Sequence, residues 1–192
     1  MRFKITEAEV KKAMKELVII IDTQEKKNEH IREWFDKKKV KYRCQKLDQG
    51  DYSAHLPKGV LKGIDRELYF DKDIVIERKA SIDEIAGNFS KTDYARISKE
   101  FAFLKANGTK VRLFVEDGLF HKHIREGKYR SKYEPKTLHA RIKGFEAEFN
   151  TTIEAIPIKC MASEIYNTLY YEVRNILLRE FEIERIDIEE GE

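Results

Sequence analysis

The chain has 192 residues, 41% hydrophobic and 11% aromatic, enough for one domain that buries roughly 70% of its unfolded surface without disulfide staples. Charged residues reach 38%, and the net charge of +3 hides an asymmetry: residues 180–192 hold seven acidic residues against Arg185 alone, which leaves +9 on residues 1–179. The opening MRFKITEAEVKK has no apolar signal core and no apolar run approaches the length of about 18 residues that a membrane span needs, so the expectation is a soluble, cytoplasmic protein whose basic body suits a polyanion.

Residues 6–15 read as a short helix with Thr6 as its N-cap. The continuous apolar run at 17–21 reads as a strand buried on both faces. Residues 26–39 form an amphipathic helix with Ile31, Trp34 and Phe35 on one face. Strands follow at 40–47 and from Gly50 to Leu56. Residues 57–72, with Gly59 and Gly63, read as a hairpin excursion. DIVIER at 73–78 is a strand, and Ser81 caps a helix that begins at Ile82. A helix at 93–106 stops at Asn107-Gly108. A buried strand at 111–115, helices at 119–126 and 136–149, a strand at 151–156 and a long helix at 161–181 complete the chain. Strands alternating with helices give an α/β class. Cys44 and Cys160 match no zinc spacing, and each is expected to be a small buried residue.

Acidic residues stand at the ends of these strands. Asp22 follows the first apolar run, Asp51 follows Gly50 where the strand at 50–56 begins, and Glu77 lies near the end of DIVIER, two residues before Lys79. In an extended chain residues i and i+2 share a side, so Glu77 and Lys79 project together and Arg78 faces away. Were the strands neighbours, three carboxylates and one ammonium would meet at one edge of the sheet. Hard oxygen ligands of this kind suit Mg²⁺ or Mn²⁺, and carboxylates so close need a cation between them. Each carboxylate alone reads as an ordinary surface charge. The four together point to phosphodiester hydrolysis, in which a metal polarises the phosphoryl oxygen and acidifies water.

The ordered set Ile21-Asp22-Thr23-Gln24-Glu25, Gly50-Asp51-Tyr52 and Ile76-Glu77-Arg78-Lys79 with Asp83 resembles the XPF-type nuclease domain of the restriction-endonuclease-like superfamily, with its D…(D/E)-x-K signature. The likeness covers residues 17–117 well and 118–181 more weakly, where the order is similar to short phage and bacterial members. It implies a mixed central sheet flanked by helices and a nuclease domain over 1–181, followed by an acidic tail at 182–192. It implies that Asp51 and Glu77 ligate Mg²⁺ or Mn²⁺, that Asp22 binds the metal directly or through water, and that Lys79 positions the nucleophile. Glu25, Arg78 and Asp83 fall at supporting positions. Gln24 stands where the family has arginine, which removes a charge that would balance Asp22 and Glu25. The excursion at 57–72 lengthens the path from Asp51 to Glu77 and is a candidate substrate contact. The chain has no room for the helix-hairpin-helix module of many relatives, so a preference for branched, forked or flapped DNA does not follow from the likeness alone.

Residues 128–133 (KYRSKY) interleave basic and aromatic side chains and continue to Lys136, Arg141 and Lys143. Lys128, Arg130, Lys132, Lys136, Arg141 and Lys143 are the candidate DNA contacts, against a plain solvated face. His121 and His123 lack a third metal partner and read as surface residues. Tyr166, Leu169, Tyr170, Val173, Ile176 and Leu177 form a helical stripe that serves either the core or a homodimer interface. Two readings compete: a metal-dependent DNA endonuclease, and a catalytically silent DNA-binding module of the same fold that acts as a partner subunit. A purely structural protein leaves the strand-end carboxylates unexplained.

Overall fold

The computed structural model describes residues 4–90, 93–180 and 182–183. Its centre is a seven-stranded mixed sheet. The strands are β2 (Val18–Ile21), β3 (Lys41–Cys44), β4 (Tyr52–Leu56), β5 (Leu68–Tyr69), β6 (Ile74–Lys79), β7 (Lys110–Val115) and β8 (Ile153–Ala155). They lie in the order β3-β2-β4-β6-β7-β8, with β5 added to β4. β4 runs antiparallel to β2, β5 and β6, and the remaining pairs are parallel. A separate pair joins β1 (Lys4–Ile5) to β9 (Glu182–Ile183) in parallel. The rest of the expected acidic tail lies outside the described residues.

Helices cover both faces, and β7 shows how the pleat divides them. Phe114 packs with α1 (Glu7–Ala13), α2 (Glu29–Lys38) and α7 (Met161–Glu180), whereas Leu113 and Val115 pack with α3 (Ile82–Asn88), α4 (Tyr94–Ala106), α5 (Phe120–Arg125) and α6 (Pro135–Phe149). The first core holds Ile19, Ile21, Tyr52, Ile74 and Ile76. The second is rich in aromatics, with Phe101, Phe145 and Phe149 in edge-on or tilted contact. The stripe on α7 is spent on the first core: Leu169, Val173 and Leu177 are buried within the one chain, and Tyr166, Tyr170 and Ile176 pack at its margin.

Local chemistry sets the element ends. Thr6 and Glu9 form a capping box, with Thr6 Oγ1 accepting from the Glu9 amide at 3.2 Å and the Glu9 carboxylate accepting from the Thr6 amide at 2.8 Å. α2 begins three residues later than the hydrophobic pattern predicts. Lys27 has φ +55°, which a right-handed helix cannot contain, so Asn28 is the N-cap. Lys39, at φ +56°, ends it. β3 stops at Cys44 rather than residue 47, because the Leu47 amide turns to the Asp22 carboxylate. Cys44 is exposed and Cys160 half-buried, against the expectation that both are buried; Cys44 ends an edge strand to which no further strand is paired among the described residues. The excursion at 57–72 returns as β5 on β4 and sends Leu61 and Phe70 into the first core.

Gly50 shows how tightly the start of β4 is held. Its φ is +76°, and a Cβ there would sit 2.8 Å from Val75 Cβ. Both the backbone and the space require glycine. Gly50→Ala is expected to cost about 1–3 kcal/mol, lowering the melting temperature by roughly 2–12 °C for a chain of this size. Thermal unfolding followed by circular dichroism checks this, and an unchanged midpoint would show that the β4 entry can relax.

Candidate active site

The strand order brings the candidate carboxylates to one end of the sheet. Three backbone hydrogen bonds stitch them side by side: Asp22 N to Asp51 O at 2.8 Å, Asp51 N to Ile76 O at 2.9 Å, and Glu116 N to Lys79 O at 2.9 Å. β2 and β6 end here, and β4 begins here because it runs the other way. Alternation along β6 then sorts its last residues. Glu77 and Lys79 share one face, their Oε1 and Nζ 2.6 Å apart, while Arg78 enters the opposite side.

An open cleft of about 720 Å³ lies over this end. It is lined by Asp22, Glu25, Asp51, Glu77, Arg78 and Lys79, all singled out from the sequence, and by Gln24, Lys26, Lys27, Lys46, Gly50, Ser81, Glu84, Arg96 and Glu100 among others. No residue of the 57–72 excursion lines it; β4 carries the chain away from Asp51 to the far end of the sheet before the excursion begins.

The electrostatics are those of crowded anions. Burial, then Glu77, then Glu25 push the Asp51 carboxyl up to about 8, against a hydrogen bond of 2.7 Å from the Arg78 amide and the nearby Lys79. Burial disfavours the Lys79 ammonium, but Glu77 and then Asp51 hold it above its ordinary value, so it stays charged. Burial also raises Glu100, with Glu77 adding to it. Such a cluster favours a cation. Among the described residues no three His, Cys, Asp or Glu side chains close into a cage. Asp22 in particular spends its oxygens on the backbone, accepting from Gln24 N and Leu47 N at 2.7 Å each. The donors that remain, Asp51 and Glu77, fit an open site of the kind Mg²⁺ uses, with one or two carboxylates and the rest water or phosphate.

Behind the cleft Arg78 is the structural cation. Its side chain is 4% exposed and lies against Glu25 at 3.0 Å and Glu116 at 3.1 Å, with the Lys27 carbonyl accepting at 2.9 Å. Glu25 also accepts from the Tyr52 hydroxyl at 3.0 Å, and burial raises its carboxyl despite Arg78. Arg78 thus supplies to Glu25, though not to Asp22, the charge that Gln24 does not. Glu116 is a further strand-end acid that the sequence pattern did not single out, although it follows the run at 111–115 as Asp22 follows that at 17–21. His30, whose Nε2 meets Glu116 at 2.7 Å, had no signal in the pattern.

Asp83 stands apart from the cleft. It accepts from Arg130 N at 2.6 Å, Arg130 Nε at 2.9 Å and Ser131 N at 3.2 Å, and Arg130 holds its carboxyl below the ordinary value. It therefore fastens the basic loop to the start of α3. Lys128, Arg130, Lys132, Lys136, Arg141 and Lys143 are all exposed on this loop and the α6 that follows. The interleaved tyrosines do another job: Tyr129 donates to the Tyr133 carbonyl and Tyr133 to the Phe89 carbonyl, both packing on the second core. His121 is exposed, and His123 Nδ1 is 2.6 Å from Asp117, so the pair gathers no metal set among the described residues.

The ERCC4 domain family matches residues 21–159. No curated protein matches the chain. Among solved structures, XPF from Aeropyrum pernix is similar over 83% of this chain and 66% of its own, with TM-score 0.57 and 16% identity. The same protein in complex with DNA is similar over 85% and 69%, with TM-score 0.54 and 17% identity. The chain therefore spans about two thirds of that protein's length, and at this identity the likeness is one of fold. The family match covers the strands that carry Asp51, Glu77 and Lys79 and the loop that carries the basic residues, and so this chain belongs to the ERCC4 domain family and has the XPF-type nuclease fold.

Proposed function

We propose that the chain is a Mg²⁺- or Mn²⁺-dependent DNA endonuclease, with the cleft over Asp51, Glu77 and Lys79 as its active site. One observation carries the reading. The Asp51 carboxylate, disfavoured by burial and by the Glu77 charge, is held with Glu77 beside a charged lysine in an open cleft, an arrangement that costs stability and suits phosphate chemistry. Asp51 and Glu77 would hold the ion, with Asp22 reaching it through water. The ion supplies Lewis-acid stabilisation of the phosphoryl group and a more acidic water. Lys79, kept protonated by Glu77 and Asp51, donates hydrogen bonds that orient the attacking water or steady the phosphate oxygens. Water attacks phosphorus, the ester P–O bond to the leaving oxygen breaks, and no enzyme–DNA bond forms. Lys128, Arg130, Lys132, Lys136, Arg141 and Lys143 give the backbone an exposed basic track. We take the domain as residues 1–181 with an acidic segment at 182–192, whose first two residues pair with β1. Pairing of two copies through α7 would rest on the half-buried Tyr166, Tyr170 and Ile176 of the stripe and on the exposed Tyr171 beside it, since Leu169, Val173 and Leu177 are buried. The silent-module reading needs a degraded site, and Asp51, Glu77 and Lys79 argue against it.

Glu77→Ala and Lys79→Ala are expected to lower cleavage of labelled duplex, single-stranded, forked and flapped DNA on the order of a hundredfold or more while melting close to the native chain. Arg78→Met should behave differently. It removes the guanidinium that Glu25 and Glu116 share, leaving them the Tyr52 hydroxyl and His30 with side chains only 9% and 5% exposed, and breaking a buried pair costs about 3–5 kcal/mol, so its melting temperature falls before cleavage can be scored. Cleavage that survives Glu77→Ala and Lys79→Ala would place the chemistry elsewhere; native DNA binding with no cleavage in either metal would favour the silent module.

The basic track has its own test. Replacing Lys132, Lys136 and Arg141 by glutamine should weaken duplex binding and flatten the slope of log affinity against log salt by up to about 2.7, at roughly 0.9 for each phosphate no longer neutralised. An unchanged slope would take the track out of the interface.

A further inference from the structure

Beside the active-site cleft runs a second, shallower groove of about 350 Å³, lined by Gln49, Arg96, Lys99, Glu100 and Phe103. Three of these five, Gln49, Arg96 and Glu100, also line the cleft, so the two are continuous. α4 makes the groove by its periodicity. Ile97, Phe101 and Leu104 are buried beneath it, while Arg96, Lys99 and Phe103, three or four residues apart, lie along the other side over about 10 Å. Phe103 is 55% exposed. A phenyl ring left more than half in water, although the same helix buries three other apolar side chains, gains little from the fold of this chain.

We propose that this groove binds an unpaired DNA strand running into or out of the cleft, with a base stacked on Phe103 and phosphates held by Arg96 and Lys99. The inference rests on the nuclease reading of the adjoining cleft and adds to it a residue that selects the substrate. Bases in a duplex already have both faces stacked on their neighbours, so only an unpaired base offers its face to an aromatic ring. The charges agree. Arg96 and Lys99 are exposed cations, and the one carboxylate of the groove, Glu100, pairs with Arg96 at 3.8 Å and lies within electrostatic reach of Glu77 and Lys79 on the cleft side. Gln49, two residues before Asp51, marks where the strand would cross from groove to cleft.

The test uses the full chain without divalent metal, so that binding is read apart from cutting. Phe103→Ala, Phe103→Trp and the native chain are titrated against labelled oligothymidylate and against a labelled duplex of equal length, by fluorescence anisotropy. Phe103→Ala should weaken the single strand about tenfold more than the duplex, as the loss of one base–aromatic stack predicts, and Phe103→Trp should restore single-strand affinity. The exposed position keeps both variants folded, which their melting curves check. Equal loss on the two ligands, or no loss on either, overturns the proposal. So does an intact DNA profile with a changed sedimentation coefficient in Phe103→Ala, which would make the face a protein interface. A failure of the nuclease reading shows instead as native-like binding of both ligands with no cleavage on adding metal, and leaves the Phe103 selectivity to be judged by its own titration.

Discussion

The molecule depends on the burial of Arg78. At one end of the sheet the strand order assembles five carboxylates, those of Asp22, Glu25, Asp51, Glu77 and Glu116. Taking such groups out of water is expensive unless each finds a partner. Arg78 answers two of them with its guanidinium and a third with its amide, donating to Asp51 at 2.7 Å. Asp22 is answered by two loop amides. Glu77 pairs with Lys79, and Asp51 beside it is the carboxyl that burial and its neighbours disfavour most. Of the five carboxylates all but Glu116 line the cleft, but Asp22 and Glu25 are engaged by amides, Arg78 and Tyr52, which leaves Asp51 and Glu77 as the pair beside Lys79.

That separation follows from the two-residue period of a strand. Because Glu77, Arg78 and Lys79 alternate, one cation goes to the buried ion-pair side and one to the Glu77 side of the same strand. A single shift in register between β6 and its neighbours would exchange them. The register is fixed by Ile74 and Ile76 in the first core and by Gly50, whose close approach to Val75 leaves no room for a side chain. The GDY and ERK triplets are therefore one device: glycine lets β4 begin against β6, and the paired strands set Asp51 beside Glu77.

Much of this is legible in the sequence because periodicity and strand-end acids are local signals. The run at 17–21, the alternation of DIVIER, the Thr6 and Ser81 caps and the i, i+2 pairing of Glu77 with Lys79 are all carried by neighbouring residues. What stays hidden is carried by residues far apart. The partnership of Arg78 with Glu25 and Glu116 spans 53 and 38 residues and depends on strand order, which no local pattern gives. The tyrosines at 129 and 133 look like a stacking surface until the second core is seen beneath them. Lys27 and Lys39 carry no glycine to announce their left-handed backbone, so the hydrophobic pattern starts α2 too early. Cys44 reads as buried because the sequence does not say that β3 is an edge.

The same reasoning explains why the aromatic groove lies on α4 and not on the basic loop. A side chain kept for a ligand must be one that the fold has declined to bury. Tyr129 and Tyr133 are half-buried against the second core and spend their hydroxyls on carbonyls, and the Arg141 guanidinium lies over the Tyr133 ring. α4 packs through Ile97, Phe101 and Leu104 and leaves Phe103 in water beside Arg96 and Lys99. Charge tracks the backbone of either strand form, whereas a free ring face discriminates between them. On this fold α6 carries charge, whereas α4 carries charge and an exposed ring together. DNA that engaged both would present its duplex to the first and its unpaired strand to the second, with Asp51 and Glu77 in the cleft that α4 borders.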